Sequence, residues 1–371
     1  MLKVRPGIME IAPYKGGDSK LAGQQRVIRL ASNESPLGPS PQAIRAYRDL
    51  ADELHRYPDG GQEELRAAIA THQRLPAEQI VCGAGSDELI SLLVRAYAGP
   101  GDEVLHSEYG FLMYPIAAKG AGATPVAAPE RDYTGDVDAL LAHVTPRTRV
   151  LLLANPNNPT GSLLPAAEVR RLHAGLPKDV LFVIDAAYAE YVGGGDYEDG
   201  AALVAVHDNV VTLRTFSKIY ALAALRIGWA YGPSAVIDVL NRLRGPFNTS
   251  APAQAAALAA LRDQAHVAAA KAHNDRWLPW FRKRVTAAGF TALPSAGNFV
   301  LVRFPAGPAT NADAACAFLN ARGIIPRKMA PYGLGDCLRI TIGRADEMEI
   351  VAAALDAFAE VSAGLKRRAG G

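Results

Sequence analysis

Lys218 is the residue around which chemistry can be built. The apolar run Val210-Val211-Thr212-Leu213 delivers it within Thr215-Phe216-Ser217-Lys218, and Arg226 follows soon after. A lysine held among apolar residues loses hydration, which lowers its pKa and frees the amine for carbonyl chemistry. An arginine beside small hydroxyl residues such as Thr215 and Ser217 offers charge, a planar fork and neutral donors, which a phosphate monoester needs. Upstream, Gly83-Ala84-Gly85-Ser86-Asp87 reads as a glycine turn between a strand and a helix. There the backbone approaches a ligand closely and free N–H groups face an anion. It lacks the Gly-Lys-Ser/Thr ending of a P-loop. A reactive amine near a phosphate clamp suggests pyridoxal 5′-phosphate, held as a Schiff base to Lys218.

Three other positions fit that chemistry. The buried run Val180-Leu181-Phe182-Val183-Ile184 ends on Asp185. Alone, Asp185 reads as a helix N-cap; beside a pyridine it keeps the ring nitrogen protonated. Arg149 to Ala154 is a parallel strand that ends in Asn155-Pro156-Asn157-Asn158-Pro159-Thr160-Gly161. Its amides offer neutral donors at the strand's carboxyl end, where ligands sit in open α/β sheets. Arg339 lies inside the apolar strand Cys337 to Gly343, where a guanidinium needs either a protein carboxylate or an anionic substrate.

The elements that position these residues alternate between strand and helix, which predicts an α/β fold. Residues 1–40 read as an irregular arm and loop, 41–255 as a large domain and 256–371 as a smaller one. Helices are expected from Pro41, with Ile44, Tyr47 and Leu54 as apolar positions, and from Gln62. The alanine-rich run from Ala253 to Ala288 reads as one helix with no breaker before Pro279, and a last helix runs from Asp346 to about Leu365.

Ser-Lys-x-x-x-Leu-Ala-x-Leu-Arg-x-Gly at 217–228 resembles the lysine motif of the fold-type-I aminotransferases, and within them the histidinol-phosphate aminotransferase branch. Asn155 to Gly161 resembles the family's Asn-Pro-x-Asn-Pro-Thr-Gly. The Asn33-Glu34-Ser35-Pro36 loop resembles its substrate entrance, with Ser35 in place of the usual Asn. The resemblance implies a large domain with a mostly parallel seven-stranded sheet flanked by helices, and a smaller α+β domain. It implies Lys218, Asp185 and Tyr188 as catalytic residues. Gly85, Ser86, Asp87, Thr215, Ser217 and Arg226 are then assigned to the phosphate, with Asn158 and Tyr188 on the coenzyme's 3-oxygen. Phe111, or in its place Tyr109, stacks on the ring. Tyr57 reaches the partner's coenzyme in a homodimer. Tyr14, Asn33, Asn158, Arg327 and Arg339 face substrate, Arg339 taking the α-carboxylate and Arg327 the distal anion. The implied partners are a small amino donor and a 2-oxo acid, with histidinol phosphate and 2-oxoglutarate foremost. Ala221 and Ala224 stand where the family commonly has Gly, which predicts tighter packing near the coenzyme.

The bulk properties agree. The chain has 371 residues, 49% hydrophobic and 20% charged, with a net charge of +2. Near-neutral charge gives no reason to expect nucleic acid or a membrane surface as partner. Its 3 cysteines follow no metal-binding pattern, so no metal is expected. With no signal peptide or span legible, a cytoplasmic protein is expected. The competing readings are an aromatic or broad-specificity aminotransferase, a decarboxylase of phosphorylated amino acids, and a catalytically silent ligand sensor on the same fold.

Overall fold

The computed structural model describes residues 2–23 and 27–369. Two compact units emerge. One comprises Met1–Pro13, Gly38–Asn158 and Ser162–Ala268, the other Tyr14–Leu37, Pro159–Gly161 and Ala269–Gly371. This division differs from a break at 255/256. The arm is also split, because Tyr14–Leu37 counts with the second unit while the residues before it count with the first.

The first unit is built on seven strands: β1 (Ile80–Gly83), β2 (Glu103–Ser107), β3 (Thr124–Ala128), β4 (Thr148–Ala154), β5 (Leu181–Asp185), β6 (Val210–Thr215) and β7 (Gly228–Tyr231). Their order is β1-β7-β6-β5-β4-β2-β3, with only β7 antiparallel to its neighbours. β5 and β6 are buried along their whole length, as the continuous apolar runs of a sheet covered on both faces require. β7 returns the chain so that Gly228 is register-paired with both Gly83 and Thr215. That pairing sets the glycine turn beside the lysine segment.

Helix α1 (Pro41–Asp49) opens with Ser40 accepting from the Gln42 N–H and with Pro41 at its first position, where proline costs no hydrogen bond. Its Ile44 and Tyr47 are exposed, as is Leu54 beyond it; the buried position is Ala43. Glu63–Gln73 forms α2 and Ser86–Tyr97 forms α3. The alanine-rich run is two helices, α4 (Ala251–Arg262) and α5 (Gln264–Ala287). The break falls at Asp263 (φ −89°, ψ 67°), whose carboxylate accepts the Ser40 hydroxyl at 2.5 Å. Pro279 lies inside α5 without ending it. The other Asp263 oxygen, Oδ1, accepts the His266 N–H at 3.3 Å, so Asp263 caps α5 locally as well as meeting Ser40 from far along the chain.

The second unit has a four-stranded antiparallel sheet ordered β8 (Thr291–Ala292), β9 (Phe299–Arg303), β11 (Cys337–Thr341) and β10 (Arg327–Lys328). α5 residues Trp277, Phe281 and Val285 pack with Phe290, Phe304 and Phe358 in its core. A two-residue strand, Ile28–Arg29, pairs in parallel with Ile324–Ile325. It is too short for a periodic pattern to reveal.

Candidate active site

In the first unit the glycine turn forms a cradle. Arg226 adopts a left-handed backbone (φ 52°), and its guanidinium lies where a side chain on Gly85 (φ 82°) would stand. A Cβ on Gly228 would come within 2.7 Å of the Ser86 nitrogen. Gly85 caps the twelve-residue α3 without any side-chain bond, so first-turn N–H groups are left for an anion. Arg226 Nη1 donates to Ser217 Oγ (3.3 Å) and to the Ala223 carbonyl (3.0 Å), and Nη2 donates to Asp87 Oδ2 (3.2 Å). The Ser217 N–H donates to Thr215 Oγ1 at 3.1 Å. Gly85, Ser86, Asp87, Thr215, Ser217 and Arg226 are thus assembled from three chain segments into one cup suited to a phosphate monoester.

Asp185 ends β5 almost fully buried. Tyr114 Oη donates to its Oδ2 at 2.9 Å and the Ala187 N–H to its Oδ1 at 3.2 Å. Burial pushes the carboxyl up to about 6; the Tyr114 bond opposes this, Asp87 adds to it, and Lys218 opposes it again. The group is therefore ionised at neutral pH yet sensitive to a nearby cation. Lys218 Nζ lies 5.6 Å from the centre of the Tyr188 ring, and Tyr188 is buried. Phe111 sets its edge against Tyr114, centroids 6.0 Å apart at 86°, whereas Tyr109 stacks on Tyr133. Asn158 follows Asn157 at the end of β4, next to β5. Tyr57 projects from the surface, 82% exposed, and stacks on Phe247 at 4.6 Å.

Sequence reasoning missed three supporting groups here. Tyr114 lies three residues past Phe111 and carries no local signal of a bond to Asp185. Arg214, one residue before Thr215, is buried and donates to Glu190 Oε1 (2.8 Å) and Asp199 Oδ2 (2.9 Å). That ion triad ties the lysine strand to the turn that follows Tyr188, and its signal was an arginine inside an apolar strand, the same signal that singled out Arg339. The third, Glu130, had no signal at all.

In the second unit Arg327 and Arg339 are directly opposite each other on β10 and β11. Arg339 is buried, donates to the Ala31 carbonyl at 2.7 Å and lies over the Phe299 ring. Arg327 donates to the Lys15 carbonyl at 2.5 Å and lies over the Tyr14 ring at 6.0 Å. Asn33 is buried, with φ 56°, and its N–H donates to Thr341 Oγ1 at 3.0 Å. Asn298 Nδ2 donates to the Asn33 carbonyl at 3.1 Å. Asn33 therefore braces the strand that carries Arg339.

Residues 25–355 match the family model of aminotransferase class I and II. The chain belongs to this family. Among its relatives, the histidinol-phosphate aminotransferase of Paramagnetospirillum magneticum is 60% identical over 95% of this chain and 98% of its own. That of Rhodospirillum centenum is 58% identical over 94% and 96%. The crystal structure of histidinol-phosphate aminotransferase from Sinorhizobium meliloti in complex with pyridoxal-5′-phosphate superposes with a TM-score of 0.88 at 30% identity, covering 97% of this chain and 99% of that one. The aminotransferase accordingly has the fold-type-I architecture, with its seven-stranded, mostly parallel sheet. Among its described residues no cluster of His, Cys, Asp and Glu could hold a metal ion, and no helix is long and apolar enough to cross a membrane.

Proposed function

We propose that this aminotransferase exchanges the amino group between histidinol phosphate and glutamate/2-oxoglutarate, with pyridoxal 5′-phosphate as coenzyme. The observation that carries the reading is the cross-strand pairing of Arg327 with Arg339. Like charges directly opposite on a sheet repel. Two guanidiniums held there by carbonyls and aromatic faces suit a site that must accept a carboxylate in one half-reaction and a phosphate in the other.

The residues fit the coenzyme. The cup around Gly85 and Arg226 would hold its phosphate, Asp185 its ring nitrogen, and Asn158 with Tyr188 its 3-oxygen. Phe111 is the better placed of the two aromatics to cover the ring, because it contacts Tyr114, which in turn holds Asp185. When bound, pyridoxal phosphate supplies a carbonyl that condenses with amines and a ring that withdraws electrons from the substrate's α-carbon. Asp185, ionised above about pH 6, would pair with the ring nitrogen and keep its proton in place. Lys218 Nζ is the base that would take the proton from the substrate's α-carbon and hold it for return. Arg339 orients the α-carboxylate of glutamate, and Arg327 with Tyr14 receives the phosphate of the other substrate. The chain works as a cytoplasmic homodimer: its three cysteines are buried free thiols, and Tyr47, Tyr57 and Phe247 are exposed as a dimer face would have them.

A single-turnover half-reaction tests this. The coenzyme's visible absorption should convert rapidly with histidinol phosphate and with glutamate, and little with phenylalanine. Fast conversion with phenylalanine would make it an aromatic aminotransferase. No conversion with any of the three would leave the proposed substrates without support.

A further inference from the structure

Glu130 lies just beyond β3, at the same sheet edge as Asp185 and Asn158, and has no role in the chemistry so far. It is partly buried, and its Oε2 is sealed from solvent without a hydrogen bond. Its Oε1 accepts the Tyr109 N–H at 3.2 Å. The neighbouring Asn157 Nδ2 donates to the Tyr109 carbonyl at 3.2 Å and reaches Glu130 Oε1 at 3.5 Å. The N–H and the carbonyl of one residue are thus gripped from two different chain segments. Tyr109 opens the turn that carries Phe111, and Asn157 precedes Asn158. A displacement of this turn would move the aromatic face and the 3-oxygen donor relative to one another.

We infer that Glu130 is a positioning residue, clamping the Tyr109–Phe111 turn to the Asn157–Asn158 loop so that both meet the coenzyme in one geometry. This rests on the coenzyme site proposed above. The clamp needs an acceptor at Oε1 and not a negative charge. Oε2 is sealed without a hydrogen bond; Ser107 and the Tyr109 N–H favour the ionised form, and Glu108 and Tyr109 are the titratable groups beside it. Burial outweighs those two bonds and pushes the carboxyl up to about 7, with Glu108 adding to the rise. A glutamine has the same shape, keeps a carbonyl acceptor for the Tyr109 N–H and carries no charge, which gives the test its control.

The full-length enzyme, Glu130→Gln, Glu130→Ala and Asn157→Ala are titrated with pyridoxal phosphate. Visible absorbance gives the dissociation constant, and visible circular dichroism is read per bound coenzyme. Glu130→Ala should weaken binding about tenfold, as loss of one well-placed bond would, and should reduce the dichroic signal. Glu130→Gln should restore both to within about twofold of the parent. Unchanged binding and dichroism in Glu130→Ala, or a Glu130→Gln protein as impaired as the alanine variant, overturns the inference. If Glu130→Ala gives no cooperative thermal transition, Asn157→Ala against Glu130→Gln decides: a lost signal in the first and a kept one in the second supports the clamp, and any other pairing overturns it. A parent enzyme with no coenzyme band would remove the proposed site and this inference with it. A normal parent band beside an unaffected Glu130→Ala removes the inference alone.

Discussion

The arginines of the two units are held in different ways. In the first unit Arg226 meets Asp87, and Arg214 meets Glu190 and Asp199. In the second, Arg339 and Arg327 rest on main-chain carbonyls and on the Phe299 and Tyr14 rings. A carboxylate orients a guanidinium and cancels its charge; a carbonyl or an aromatic face orients it and leaves much of the charge for an incoming anion. The contrast is between ion pairs that hold the arginines of the first unit and carbonyl and ring contacts that hold the two arginines opposite each other on β10 and β11.

The comparison breaks most severely at Lys218. Lys218→Ala should lower turnover on the order of 10⁴-fold, the upper range for loss of a general acid–base group, with the visible coenzyme band shifted; an unaltered band and rate would refute its role. Next come the second unit's arginines. Arg339→Lys should cost about 10- to 100-fold in kcat/KM for glutamate, as loss of a charge-assisted fork does. Arg327→Gln should cost as much for histidinol phosphate while sparing glutamate. Steady-state kinetics with each substrate would show whether the two positions divide the work.

Tyr114→Phe sharpens the first unit's side. The Tyr114 hydroxyl opposes the rise of the Asp185 pKa. Asp185 must be ionised to pair with the ring nitrogen, so coenzyme affinity should fall as pH drops through about 6 in the parent. The variant's fall should begin at higher pH. Titrations at pH 6.5 should show about tenfold weaker binding, because a hydrogen bond to an ionised carboxylate is worth about 1.5 kcal/mol. Superimposable pH profiles would count against the assignment.

The smallest effects concern the two alanines in the lysine segment. Ala221 has φ 59°, whereas Ala224 lies within the 3₁₀ turn Ala223–Leu225 and has no positive φ. The left-handed backbone at 221 is one that glycine adopts without strain, whereas the backbone at 224 is not left-handed. A left-handed alanine costs about 1–2 kcal/mol, partly offset because glycine loosens the unfolded chain. Ala221→Gly should raise stability by up to about 1 kcal/mol, and Ala224→Gly should lower it by a similar amount. Thermal melts moving in the same direction for both would refute the distinction.

Much of the candidate site was legible because its proposed chemistry is local. Lys218 with Ser217 and Arg226, Asn155 to Gly161, and Asp185 closing an apolar strand each carry their signal within a dozen residues. The sheet was legible for the same reason, since a strand covered on both faces must be apolar throughout. Boundaries were less so: the pairing of Ile28–Arg29 with Ile324–Ile325 depends on partners far along the chain, and the Asp263 break combines a local cap on His266 with the distant Ser40.

The amino-acid sequence by itself therefore determined the reactive groups, the order of strands and helices, and the coenzyme those groups suit. Tertiary structure alone decided which groups sustain them: Tyr114 against Asp185, Glu130 and Asn157 around Tyr109, Arg214 among its carboxylates, and Arg327 across from Arg339. Residue type and short-range periodicity are written along the chain. Register between strands, and the meeting of buried polar groups, follow only when distant segments compete to satisfy each other's hydrogen bonds in the same small volume.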